Sequence, residues 1–165
     1  MATKIQGLDR LKRKLRALPD AAREEIAKAM EQSANQIVMM AKSLAPVETG
    51  DLQMSISWTW GDAPKGSMVL GKVRDKGKGA GNLAITVYAG DQSTMVGSRQ
   101  QFQLARLIEF GTSPHINSGK FAGSQHPGTA AKPFFYPAYR AHRKRVKSRI
   151  TRAINRSAKR VAAGG

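Results

Sequence analysis

Leu8, Leu11, Leu15 and Leu18 recur at three- and four-residue intervals, the spacing of one buried helix face. Pro19 and Asp20 interrupt this run. Asp20 suits an N-cap, and Glu24 and Glu25 suit the positive start of a second helix. A stripe of Ile26, Met30, Ile37, Met40 or Ala41, and Leu44 carries that helix over residues 21–44, and Pro46 stops it. The period then drops to two. Leu52, Met54, Ile56, Trp58 and Trp60 alternate with Gln53, Ser55, Ser57 and Thr59, which predicts a half-buried strand. Residues 61–64 form a turn, and 68–73 supply the partner strand. Leu83, Ile85 and Val87, alternating with Ala84, Thr86 and Tyr88, predict another strand.

Beyond the strands the pattern returns to helical spacing. Phe102, Ala105 and Ile108, broadened by Leu104 and Leu107, predict a short helix over 101–110 that Gly111 ends. A last helix begins near Pro137, with Tyr139, Val146, Ile150, Ile154, Ala158 and Val161 as its inner stripe. Mobile loops are expected at about 74–82, 91–100 and 113–132, where Gly, Ser, Pro and charged residues replace any periodicity. The expected fold is α+β: one domain over 1–165, with a small, mainly antiparallel sheet packed by a long N-terminal helix and a basic C-terminal helix.

Charge sharpens this picture. The 165 residues carry a formal net charge of +17 and no cysteine, so disulfides and thiolate metal sites are excluded. No apolar run reaches the roughly 18 residues of a membrane span, and no signal peptide is visible. Every acidic residue lies at or before Glu109, while the rest of the chain holds twelve Lys and Arg. Like charges four apart on a helix repel, so a face of this kind persists best against an acidic partner. Arg143, Arg145, Arg149, Arg152 and Arg156 are the candidate contacts to DNA or to an acidic protein.

Catalytic chemistry finds no support. The glycines at 77, 79 and 81 lack the order of a phosphate-binding loop and precede an extended run. His115, His126 and His142 have no visible set of metal or general-base partners. No serine occupies a nucleophile elbow, and no spaced carboxylate pair stands in a cleft context. The expectation is a non-enzymatic protein without cofactor or metal. Trp58 and Trp60 share a strand face and suit a core or a subunit interface better than a base-stacking platform.

Three segments together carry a resemblance. Ala41, Ala45-Pro46-Val47, Thr49-Gly50, Leu52 and Ser55-Ile56 match the pattern A-x-x-x-A-P-v-x-T-G-x-L-x-x-S-I. Glu109-Phe110-Gly111-Thr112 follows, and then Pro133-Phe134-Phe135 with Pro137-Ala138 before the last helix. In this order they resemble the HK97 gp10-like family of phage tail-completion and head–tail joining proteins. The resemblance implies a virion protein of the tail or neck, assembled in the host cytoplasm. It implies a ring of identical subunits, commonly six, that caps the tail tube protein and docks on the head–tail connector or stopper. DNA would pass through the lumen, and no membrane is involved. Candidate subunit or partner contacts are Trp58, Trp60, Glu109, Phe121, Phe134 and Phe135. Glu109 either accepts backbone N–H bonds or meets an arginine of a neighbour. The alternative is a sequence-nonspecific nucleic-acid-binding module.

Overall fold

The structure, a computed structural model, describes residues 20–73, 83–97 and 101–163. The expected helix through Leu8, Leu11, Leu15 and Leu18, the 74–82 loop and residues 98–100 lie outside the described residues. Helix α1 spans Asp20–Leu44, as the Pro46 stop requires; of the expected stripe Met30, Ile37 and Ala41 are buried and Ile26 and Met40 half-buried, while Leu44 is exposed. It buries Ala29, Met30, Ser33, Ala34, Ile37, Val38 and Ala41. A single turn, α2 (Asp51–Met54), follows a left-handed Gly50.

That turn corrects the expected strand from Leu52. Only Ser57–Trp60 is extended (β1). Leu52, Ser55 and Ile56 are the buried members of the segment, at helical rather than alternating spacing, while Met54 is exposed. The Thr49 hydroxyl donates to the Asp51 carboxylate at 2.6 Å and accepts the Asp51 N–H, which holds the turn ahead of the strand.

Strands β2 (Met68–Val73) and β3 (Ile85–Ala89) complete an antiparallel sheet of order β1-β3-β2. Residues 68–73 are therefore a strand, as expected, but pair with β3 and not with β1. The central place goes to β3, which buries Ile85, Thr86, Val87 and Ala89. Its register runs from Ser57↔Tyr88 to Trp60↔Ile85 on one side. On the other it shifts by a bulge between Val69 and Gly71. Helix α1 lies across β3 and β1.

Short elements occupy residues 91–97 and 101–132. Gln92–Thr94 forms a 3-10 turn capped by Asp91, and β4 (Met95–Val96) pairs with β5 (Phe102–Gln103). Helix α3 (Leu104–Phe110) ends at Gly111, as the pattern predicts. Residues 113–128 form an arm. In it β6 (His115–Ile116) pairs with β7 (Gln125–His126), and a Thr112↔Thr129 bridge closes its base.

Helix α4 (Phe135–Ala163) runs back along α1. Arg149 meets Ser33 and Gln36, and Arg160 meets Glu25, so the pair is antiparallel. The expected inner stripe holds for Tyr139, Val146 and Ile150, which pack against the core. It fails for Ile154 and Ala158, which are exposed. Ala138, Ala153 and Ser157 are buried instead. Small side chains line the contact where α1 presents Ala29, Ser33 and Ala34, and the polar Arg149 shares that side.

Candidate functional site: the Glu109 junction and the basic helix

Glu109 sits in the last turn of α3 and is 3% exposed. Its Oε2 accepts the N–H groups of Phe134 and Phe135, both at 2.8 Å, and its Oε1 accepts that of Tyr136 at 3.0 Å. Pro137 has no N–H, and the Ala138 N–H bonds to the Phe134 carbonyl oxygen. One carboxylate thus satisfies every free donor at the start of α4. It also places a negative charge at the positive end of a 29-residue helix. Of the two roles expected for Glu109, the backbone one is realised within the chain.

This arrangement fixes the surrounding segments. Phe134 and Phe135 are fully buried, their rings 6.0 Å apart. They anchor α4 in the core and offer no surface to a partner, which corrects their expected interface role. Gly111 has φ +70°, and a Cβ there would meet the Thr129 carbonyl oxygen. Gly128, at φ +85°, faces the Thr112 carbonyl oxygen in the same way. The two chains at the base of the arm approach too closely for a side chain at either position.

A cleft of about 130 Å³ opens beside this junction. Pro46, Gly50 and Leu52 line it from the turn, Leu104 and Ile108 from α3, and Thr129, Ala130 and Lys132 from the return of the arm. Val47 and Met54 are exposed in the same turn segment, and Phe110 is exposed against Tyr136. On the arm, Ile116 and Phe121 are 71% and 67% exposed.

The remaining candidates divide. Trp58 is packed against the core and donates its indole N–H to Asn35 at 2.7 Å. Trp60, 38% exposed, meets it edge-on. On α4, Arg149 reaches inward to the Ser33 hydroxyl and the Gln36 side-chain oxygen, both at 3.0 Å. Arg156 and Arg160 both pair with Glu25 at 2.9 Å. Arg149 and Arg156 are therefore engaged within the chain, because α1 supplies their acceptors. Arg143, Arg145 and Arg152 remain on the open side.

Gln103 escaped sequence reasoning. It is buried, and its side-chain oxygen accepts from the Thr94 hydroxyl and the Ala105 N–H, capping α3. Its amide donates to the Asp91 and Gly66 carbonyls. A lone glutamine in a polar stretch gives no signal for such a role.

A family profile described as "Bacteriophage HK97-gp10, putative tail-component" matches residues 9–111. The chain belongs to the HK97 gp10-like family. Searches of the curated proteins and of the solved structures find no match. The HK97 gp10-like match covers α1, the Pro46–Leu52 turn, the sheet and α3, and it closes at Gly111. The first signature segment falls inside it, and the second does so up to Gly111. The third, with α4, follows it and is tied back to it by Glu109. As an HK97 gp10-like protein the chain is a phage tail component, a structural protein of the virion. Among the described residues no helix is long and apolar enough to cross a membrane.

Proposed function

We propose that this chain is a tail-completion subunit. Copies of it form a ring, six-fold in this reading, that caps the tail tube at its head-proximal end and joins it to the connector or stopper of the head. Membership of a tail-component family carries the proposal. A ring needs a heterologous interface, in which one patch of a subunit fits a different patch of the next. Two unlike apolar patches are available. One is the arm, with Ile116 and Phe121 exposed beside Lys120. The other is the turn segment 46–54, with Val47 and Met54 exposed in a stretch that also carries the exposed carboxylates of Glu48 and Asp51. Trp60 is a further exposed candidate at the sheet edge.

Electron microscopy of particles made without this protein tests the role. Heads and tails that fail to join, or tails of abnormal length, are the expected outcome. Normal joined particles would end the proposal.

A further inference from the structure

Helix α4 carries ten Arg and Lys and no Asp or Glu. Three of the ten are spoken for by α1: Arg149, Arg156 and Arg160. The other seven are exposed, and none is paired with an acidic side chain among the described residues. Arg145, Arg152 and Lys159 recur every seven residues, so they stand in one line along the helix, roughly 10 Å apart at 1.5 Å per residue. Arg140, Arg143, Lys144 and Lys147 cluster on its first half.

What lies between these cations decides the kind of partner. The exposed positions are Ala141, Ser148, Thr151, Asn155 and Ala158, all small or polar. Among the described side chains of α4, the one exposed bulky apolar residue is Ile154, 43% exposed. A protein-docking surface is expected to hold aromatic or aliphatic anchors at its centre, and a membrane-seated helix an apolar face. This face has neither. A flat, small-residue surface studded with long cations suits close approach to a regular row of phosphates, where charge is dense and no base need be read.

We propose that the open face of α4 binds the phosphate backbone of duplex DNA without regard to sequence. That the DNA is met in the channel of a ring rests on the tail-completion reading, whereas the binding itself does not.

The test uses the full-length chain and two fluorescent duplexes of unrelated sequence, with anisotropy read between 50 and 200 mM salt. Both duplexes should bind with affinities within about twofold of each other. Four or more phosphate contacts should weaken binding roughly a hundredfold over that salt range. The variant R145Q/R152Q/K159Q should lose at least about tenfold in affinity at 100 mM salt, and its log–log salt slope should fall by nearly three. A control of equal net charge, K28Q/K42Q/K65Q, should lose far less. Circular dichroism checks that both variants are folded. Absence of DNA binding at 50 mM salt overturns the proposal, as does an equal loss in the control. So does an α4 variant that keeps its DNA affinity while its particles fail to join, because that face would then serve an acidic protein. Joined particles with the α4 variant leave the tail-completion reading standing whatever the DNA result.

Discussion

Glu109 gathers three N–H donors in a region closed to water, so its removal leaves those donors without an acceptor. Glu109→Ala should lower unfolding stability by about 3 kcal/mol or more, and Glu109→Gln, which keeps one oxygen acceptor, by about half as much. Urea denaturation of the two variants checks the order. The arm base makes a second residue-scale prediction. Gly111→Ala combines an unfavourable left-handed backbone with a clash against a carbonyl oxygen, and should cost about 2 kcal/mol or more in the same assay. A third concerns acid. The Ser93 hydroxyl holds the Asp91 carboxyl below the usual carboxylate range, helped by the backbone N–H groups of Ser93 and Thr94 and opposed by partial burial. A folded value below the unfolded one means that this stabilisation is present above the unfolded pKa, about 3.9, and is lost as pH falls through the folded value. Asp91→Asn should therefore lower the melting temperature at pH 7, and the gap from the parent chain should narrow as pH falls below about 3.9.

At the scale of elements, the antiparallel pair α1–α4 is joined by polar contacts of unequal worth. Arg149 reaches two acceptors from a half-buried position, whereas Arg156 and Arg160 share Glu25 near the surface. Arg149→Ala should cost about 1–2 kcal/mol, against less than about 1 kcal/mol for Arg156→Ala, as measured by chemical denaturation. This inner arginine also explains what the sequence concealed. Apolar periodicity placed α1, β2, β3 and the Gly111 end of α3 correctly, because a few large apolar residues, Met30 and Ile37 in α1 and Ile85 and Val87 in β3, mark the buried faces at regular spacing. In the second half of α4 the buried face instead runs through Ala153 and Ser157, with Arg149 half-buried before them, which no hydrophobic stripe would select. Around residue 52 two periods overlap. Leu52, Ser55 and Ile56 obey one and Met54 the other, and the local Thr49–Asp51 bond decides for the turn. The Glu109 signature was legible as a special carboxylate. Its true partners lie 25 to 27 residues further on, a separation at which sequence spacing carries no geometry.

At the scale of the whole molecule, the basic helix is capped by a carboxylate of the part matched by the family and packs along that part's first helix. Exposed arm residues should matter to assembly and not to the folded subunit. Ile116→Ser with Phe121→Ser should leave unfolding stability within about 0.5 kcal/mol of the parent chain, since surface substitutions rarely do more. On the proposed tail-completion role, the same double variant should sediment as a monomer where the parent chain assembles. A loss of stability without a change in assembly would remove the arm from the interface.

The pairing of α1 with α4 also has a consequence for biogenesis. Ser33 and Arg149 are 116 residues apart in sequence, and the Arg160–Glu25 contact spans 135. During translation α1 leaves the ribosome long before the helix that covers it has been made. Until then its inner side stays open to chaperones and to other nascent chains, and Glu109 waits as a charge without its donors. Contacts of such long range also close slowly. A newly made subunit should therefore reach its folded form only after α4 has been synthesised and docked.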